Sequence, residues 1–354
     1  PHLTAQERRA YVLSDNKLAL NAGWDQELLA LELQELLDMD FDLSITGFSV
    51  AEVDLVLDAQ RAKNTAVDDA LDQLPPVPKT AITRPGDFWI LGNHRLVCGD
   101  AQLPVSYDLL LGDEQVDLVF TDPPYNVRIE GHVSGLGKVS HREFAFASGE
   151  MSGAQFGAFL TTTLGAMASH CKDGAIAFVC MDWRHMGELL QAGARAFTEL
   201  KNLCVWNKTN GGMGSFYRSK HELVFVYKVG TAPHTNTFEL GQTGRYRTNV
   251  WDYAGMSSLS AQRAAELALH PTVKPVALVA DAIKDCSKRG EIVLDGFGGS
   301  GSTLIASETC GRNARLIEFD PLYCDVIIER WQGLTGKWAK HGKTGKRFED
   351  SVET

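Results

Sequence analysis

The chain has 354 residues, 44% of them hydrophobic and 22% charged, and a formal net charge of −11. That length holds one large domain plus an appendage; no run approaches the roughly 20 apolar residues of a transmembrane helix, and the N-terminus lacks a signal-peptide pattern. Seven dispersed cysteines (98, 171, 180, 204, 286, 310 and 324) without a Cys-x-x-Cys pair argue against a disulfide frame or zinc site and predict reduced thiols in a cytoplasmic protein. The start at Pro1 rather than at a methionine leads us to expect a fragment or processed chain.

Residues 1–60 read as helices. Leu28, Leu29, Leu31, Leu33, Leu36 and Leu37 supply a broad apolar face, and Ser49 opens a further helix through Ala51–Leu57. Most of the acidity sits in this region: residues 1–80 hold fifteen acidic and six basic side chains, which leaves the remainder nearly neutral. Leu74-Pro75-Pro76-Val77-Pro78 is a linker that its prolines stiffen towards an extended form. His94–Cys98 then predicts a strand that runs into Gly99-Asp100-Ala101.

Val116–Thr121 predicts a buried strand closed by Asp122-Pro123-Pro124-Tyr125. The prolines fix φ and have no backbone N–H, so the turn keeps its shape and its carbonyls stay free as acceptors. A carboxylate and a proline carbonyl there suit the two hydrogens of an exocyclic amine, with the tyrosine stacked on the ring that bears it. Asp-Pro also simply starts turns, and the tetrapeptide alone leaves the two readings evenly matched. Arg128–Glu150, rich in Gly, Ser and His, is either a surface loop or a lid. Met151–Ala168 predicts a helix, Asp173–Val179 a core strand, and Val205–Lys208 with His221–Lys228 a strand pair.

Between Lys201 and Val250 seven basic residues face only Glu222 and Glu239, a reversal of sign that suits contact with phosphates. Lys208, Arg218, Lys220, Arg245 and Arg247 belong to this block, although such a run is more often a solvated face than a binding site. Phe216 and Tyr217 stand just before Arg218 in the same block, and core packing is one reading of them. Glu291–Asp295 predicts a short strand, Gly296–Thr303 a glycine-rich turn, and Leu304–Ala306 the start of a helix. Such a turn brings backbone close to a nucleotide-like cofactor at the carboxyl end of a sheet. A further strand, Ala314–Glu318, follows at roughly the interval where an acidic residue meets a ribose. Glu318 is the expected ribose ligand and Asp320 the fallback; the glycine spacing does not fit the dinucleotide fingerprint.

Together these segments resemble the β-class DNA amino-methyltransferases that use S-adenosylmethionine. The catalytic tetrapeptide comes first, the cofactor glycines lie near the C-terminus, and a variable region stands between them. The resemblance runs from about Asp87 to Trp331. It implies an α/β, Rossmann-like doubly wound sheet in circularly permuted order, with residues 81–354 as the methyltransferase domain and about 229–269 as the target-recognition region. Asp122, Pro123, Pro124 and Tyr125 become the catalytic set. Asp100 and Ala101 reach the cofactor's adenine, and Thr272 and Lys274, in His270-Pro271-Thr272-Val273-Lys274-Pro275, its amino-acid end. Asp295, Phe297, Gly299, Gly301, Ser302 and Thr303 line the glycine loop. This loop departs from the usual Asp-Pro-Phe-x-Gly-Ser-Gly-Thr in carrying Gly296 for proline and Ser302 for the first threonine, which predicts altered rigidity rather than lost binding. Aspartate at 122 points to N6 of adenine, N4 of cytosine being the alternative; protein glutamine methyltransferases carry asparagine there. The lack of a Pro-Cys motif argues against carbon-5 methylation.

Residues 1–80 resemble the helical end of ParB-like domains, whose front portion would lie before residue 1, joined to the linker. That similarity implies a second alternative, a partition-type DNA-binding protein with an inactive methyltransferase fold. DNA is the expected partner. Because the basic block coincides with the specificity region of the resembled family, Lys208, Arg218, Lys220, Arg245 and Arg247 are the expected DNA contacts. Phe216 and Tyr217 either meet the flipped base, fill the space it leaves, or pack into the core. A homodimer is compatible with the family, and neither a metal nor a membrane is expected.

Overall fold

The computed structural model describes residues 3–18, 24–39, 41–62, 71–127, 149–209, 211, 216–238, 246–254 and 273–351. They form two compact units, Pro1–Ala70 with Asn236–Arg247, and Leu71–Thr235 with Thr248–Thr354.

The first unit contains α1 (Ala5–Leu18), α2 (Gln26–Asp38), a 3-10 turn at Leu43–Thr46 and α3 (Val50–Ala62). Asp25 caps α2 by accepting from the backbone of Glu27 and Leu28. Ser49 and Glu52 form a reciprocal pair at the start of α3, where Ser49 N donates to Glu52 Oε2 and Glu52 N to Ser49 Oγ. Leu13, Leu29, Leu33, Leu36, Phe48, Val53 and Leu57 make the core. The buried face of α2 is narrower than its leucine content predicts. Leu29, Leu33 and Leu36 share one helical stripe, whereas Leu28 and Leu31 lie off it and are 58% and 57% exposed.

The second unit is built on ten strands: β1 (Phe88–Leu91), β2 (His94–Cys98), β3 (Val116–Thr121), β4 (Cys171–Met181), β5 (Glu199–Asn207), β6 (His221–Lys228), β7 (Val250–Asp252), β8 (Ile292–Asp295), β9 (Asn313–Glu318) and β10 (Lys340–His341). Their order across the sheet is β10-β1-β2-β9-β8-β3-β4-β6-β5-β7. Strands β2, β9, β8, β3 and β4 are mutually parallel, and β6 runs antiparallel to both β4 and β5. Helices α4 (Pro104–Leu111), α5 (Gly153–Ser169) and α6 (Met186–Ala196) share one apolar core with the sheet. Helices α7 (Val276–Cys286), α8 (Ser302–Cys310) and α9 (Pro321–Thr335) share the other. The unit is therefore doubly wound, as expected.

Three features of this layout position the site. Neighbouring strands β3 and β8 send the chain in opposite directions, to β4 and to β9, which makes the crevice beyond their carboxyl ends the switch point where open α/β sheets bind ligands. Because β6 is reversed, its first residues, His221 and Glu222, arrive at that same edge. The chain on either side of the expected linker is docked on this unit. Asp72 Oδ1 accepts from Val276 N at the start of α7, and Asp325 on α9 accepts from Ile82 N and Thr83 N. All seven cysteines are buried and free, and among the described residues no helix is long and apolar enough to cross a membrane.

Candidate active site

The glycine loop leaves β8 at Asp295. Gly299 and Gly301 have φ of +51° and +83°, a region that side chains rarely adopt, and a Cβ on Gly299 would meet nothing closer than Phe297 O at 3.8 Å. Backbone is thus bared towards open space. The Gly296 that replaces proline also has a packing reason, since a Cβ there would come within 3.0 Å of Met167 Sδ on α5. Side chains of the loop face inward. Asp295 Oδ1 accepts from Thr121 Oγ1 at 2.9 Å and Phe297 N at 3.0 Å, and its Oδ2 accepts from Thr303 Oγ1 at 2.6 Å. Ser302 Oγ donates to Lys274 O at 2.8 Å. The hydroxyls of Ser302 and Thr303 therefore brace the loop. Burial pushes the Asp295 carboxyl up to about 7, against its three hydrogen bonds.

Gly99 N donates to Glu318 O, which joins the ends of β2 and β9 and brings Asp100 beside Glu318. Glu318 Oε2 accepts from Gly299 N at 2.7 Å and Oε1 from Asp320 N at 2.8 Å. Burial pushes its carboxyl up to about 7, against those two backbone donors. A carboxylate offers about four lone-pair sites, so two remain for hydroxyl donors. Asp320, the fallback, is occupied elsewhere, because its Oδ1 accepts from Leu322 N as the N-cap of α9, with Pro321 at the first helical position. Asp100 Oδ1 accepts from Gln102 N, while Ala101 is buried and its carbonyl accepts from Tyr107 Oη. Phe319, next to Glu318, is 52% exposed and offers a ring at this end of the crevice. Bare glycine backbone, a carboxylate for vicinal hydroxyls and a second carboxylate for an amine suit an adenosine-bearing cofactor.

Across the switch point lies the tetrapeptide. Pro123 is buried, Asp122, Pro124 and Tyr125 partly so. Tyr125 Oη donates to Asp122 Oδ1 at 2.6 Å, and Lys274 Nζ donates to Asp122 Oδ2 at 2.5 Å. Lys274 lies just before α7 and also reaches Glu222 Oε2 at 3.0 Å and Tyr125 Oη at 3.2 Å. Lys208, at the end of β5, pairs with the other oxygen of Glu222 and sits 4.6 Å from the centroid of Trp206. The ammonium of Lys274, expected at the amino-acid end of a cofactor, thus lies on the Asp122 carboxylate. Lys208, expected on phosphate, is tied into the same buried cluster.

This network sets two carboxylates apart. Burial raises Asp122 against the pull of Lys274, and Glu222 adds to the rise. Burial opposes the charge of Glu222 too, yet the ammoniums of Lys274 and Lys208 hold it down at about 2. Lys274 is desolvated, but Asp122 and Glu222 keep it charged, well above the usual lysine range. Burial and the two carboxylates also push the Tyr125 hydroxyl far up, so it stays a donor. Glu222 is not among the site residues that the sequence predicts. Its signal would be an acidic residue at the head of a strand that runs backwards in a parallel sheet.

Asn126 continues the turn in the left-handed region, at φ +53°. Its Nδ2 donates to Met151 O, and its Oδ1 accepts from Gly149 N and Met151 N. The tetrapeptide is thereby fastened to the start of α5, which Ser152 and Gln155 cap reciprocally. Of the other expected DNA contacts, Arg218 and Lys220 are exposed, with Arg218 Nη2 donating to Gly211 O. Arg247 is partly buried and belongs to the first unit. Arg245, Thr272, the loop at 128–148 and residues 239–245 and 255–269 of the recognition region lie outside the described residues. Among those described, no group of His, Cys, Asp and Glu suits a metal.

A doubly wound sheet with a glycine loop and an Asp-Pro-Pro-Tyr turn at one switch point defines a group-transfer enzyme of the methyltransferase kind. The family model described as DNA methylase, for N6 and N4 amino-methyltransferases, matches residues 116–329, and the chain belongs to that family. A second model, the ParB-methyltransferase HTH domain, matches residues 27–85. The chain is 24% identical over 238 residues to the type II methyltransferase M.HinfI of Haemophilus influenzae, a match that covers 62% of this chain and 63% of that protein. Among solved structures, the cytosine-N4-specific PvuII DNA methyltransferase aligns at a TM-score of 0.52 with 16% identity, over 68% of this chain and 86% of that one. An M1.HpyAVI–SAM complex aligns at a TM-score of 0.49 with 19% identity, over 66% and 97% of the two chains.

Proposed function

We propose that the chain methylates the exocyclic N6 of adenine in a base flipped out of DNA, with S-adenosylmethionine as methyl donor. One observation carries this reading: Asp295 bridges Thr121, beside Asp122, to Thr303 of the glycine loop, which fixes the amine-binding turn against the cofactor crevice. When bound, the cofactor supplies a sulfonium methyl group, an electrophile that needs no metal. Glu318 would hold its ribose hydroxyls, Asp100 its adenine amine, and the bare backbone at Gly299 would pass close beneath it.

The chain's own groups handle the amine. An adenine amino nitrogen is a poor nucleophile because its lone pair is delocalised into the ring. Asp122 and the Pro123 carbonyl accept both N–H groups and favour a pyramidal nitrogen, positioning that contributes much of the acceleration. Lys274 and Tyr125 each donate to one oxygen of Asp122, so the carboxylate is held in orientation while lone pairs remain for the amine. Glu222 stays ionised and anchors Lys274, and Asp122, the more basic of the two carboxylates, is the acceptor for the proton released as the N–C bond forms. Tyr125 stacks on the base.

Aspartate at 122 supports adenine; N4 methylation of cytosine needs the same amine geometry and is the second reading. The test is incubation with unmethylated genomic DNA and labelled S-adenosylmethionine, digestion to nucleosides and identification of the labelled one by mass. Labelled N6-methyladenosine is the expected result. Labelled N4-methylcytosine would correct the base, and no label in any nucleoside despite cofactor binding would overturn the activity and favour a DNA-binding protein with an inactive fold.

A further inference from the structure

We propose that Phe216 and Tyr217 form the wedge that enters the base stack where the target nucleotide leaves it. The inference rests on the DNA-methyltransferase reading and adds the element that stabilises the emptied duplex. The two rings are 86% and 85% exposed, the most exposed large apolar side chains among the described residues. That exposure excludes core packing, the alternative that the sequence left open. They touch each other edge to face, with centroids 4.5 Å apart, so the pair presents one compact apolar body rather than two separate side chains. Single exposed rings are ordinary, but two in contact form a contiguous apolar patch of the kind that marks an interaction site.

Their place in the fold gives the exposure a meaning. Phe216 and Tyr217 lie in the connection between β5 and β6, which the backbone bond from Lys208 N to Lys220 O closes just beyond the Asn207–His221 pair. The same closure carries Lys208 and, two residues past Lys220, Glu222 of the buried cluster that holds Asp122 through Lys274. The wedge is thus borne on the strand pair that lines the amine site, at the carboxyl edge of the sheet. Charge selects the partner. From Leu200 to His221 the chain carries Lys201, Lys208, Arg218 and Lys220 and no Asp or Glu, and Arg218 and Lys220, which follow the rings, are exposed. Apolar rings next to cations fit a stacked polyanion, where phosphates take the charges and a base step takes the rings. Flipping leaves a gap whose unstacking costs a few kcal/mol, and an inserted ring pair restores part of the lost stacking.

The test uses the full chain and the duplex site identified by mapping the methylated genomic DNA. The variant Phe216→Ala/Tyr217→Ala is compared with the parent on two duplexes, one with the target base paired and one with it opposite an abasic position, where flipping breaks no pair. Cofactor affinity is measured alongside, and Trp338→Ala serves as a control that removes an exposed aromatic from the β10 side of the sheet. The expected result is a fall in kcat/KM of about 10- to 100-fold on the paired duplex, a much smaller fall on the abasic duplex, and unchanged cofactor affinity and control. An equal fall on both duplexes overturns the wedge in favour of a general DNA contact. No fall on either overturns it in favour of another partner, such as a protein. A parent chain that binds cofactor yet methylates neither duplex nor genomic DNA fails at the level of the activity itself, a result distinct from any failure of the variant.

Discussion

The two halves of the carboxyl edge hold their carboxylates by opposite means. On the β8–β9 side, Asp295 and Glu318 are satisfied by neutral donors, hydroxyls and backbone N–H groups of the loop they serve. On the β3–β6 side, Asp122 and Glu222 are satisfied mainly by ammonium groups, and that of Lys274, which reaches both, comes from a segment distant in sequence. Neutral donors let burial push both cofactor-side carboxyls up to about 7, whereas the ammoniums hold Glu222 at about 2. One half can change its protonation near neutral pH as a ligand arrives. In the other, Glu222 is locked in charge by its ammonium partners, while burial raises Asp122 against the pull of Lys274.

The hardest way to break this contrast is to remove the member proposed to be catalytic. Asp122→Ala should lower single-turnover methyl transfer by about 10²–10⁴-fold and leave cofactor affinity close to the parent value, since the proposed role of Asp122 is to face the amine. A loss confined to cofactor binding would move Asp122 to the wrong half.

Lys274→Met and Lys208→Met come next, read by urea unfolding at neutral pH. The Lys274 side chain is 5% exposed and faces two carboxylates. Its loss leaves buried charge uncompensated and should cost about 3–5 kcal/mol. Lys208 is 26% exposed and pairs with one carboxylate, Glu222, beside the Trp206 ring, so about 1 kcal/mol or less is expected. Equal costs would mean that the cluster is not hierarchical. The linkage has a definite sign. Glu222, depressed to about 2, adds stability above the ordinary carboxylate range and loses it as pH falls through 2; Glu222→Gln should remove that acid-side loss.

The same contrast governs what is legible in the sequence. The glycine loop and its acidic partners are local: strand, turn, helix and next strand follow within one stretch, and Gly299 meets Glu318 only 19 residues on. The Asp-Pro-Pro-Tyr turn is equally readable, because proline geometry acts at short range. Glu222 is not, since it lies 97 residues from Tyr125 and owes its place to the reversal of β6. Lys274 reads as a site residue but on the cofactor side, because sequence order cannot say which way a long side chain turns. Asp320 reads as a spare ribose ligand, although Asp-Pro before an apolar run is also a helix-start signal. Leu28 and Leu31 join the expected core through composition, while helical phase leaves them outside it.

Thr121→Val tests the brace between the halves. Asp295 would keep Thr303 Oγ1 and Phe297 N and lose Thr121 Oγ1. A cost of about 1–2 kcal/mol in unfolding is expected, with a fall in kcat larger than any rise in the KM for cofactor. The reverse pattern would confine Asp295 to shaping the glycine loop.

The smallest effect, and the sharpest on the cofactor side, concerns pH. Glu318 has its carboxyl raised to about 7 by burial, so the free protein is partly protonated there at neutral pH. Ribose hydroxyls donate best to the ionised form, and the cofactor must therefore displace a proton when it binds below that range. Affinity for S-adenosylmethionine, measured by calorimetry, should rise from pH 6 to pH 8 by at most about tenfold per unit and level off above. Glu318→Gln should flatten this rise and weaken binding mainly at the alkaline end. It should also remove a fall in stability between about pH 4.5 and 7, the window in which a raised carboxyl makes the folded chain bind more protons than the unfolded one. Asp295, also raised to about 7, is the internal control. A rise in affinity that survives Glu318→Gln but disappears in Asp295→Asn would transfer the titration to the loop brace, and Glu318 would then hold the glycine turn rather than the ribose.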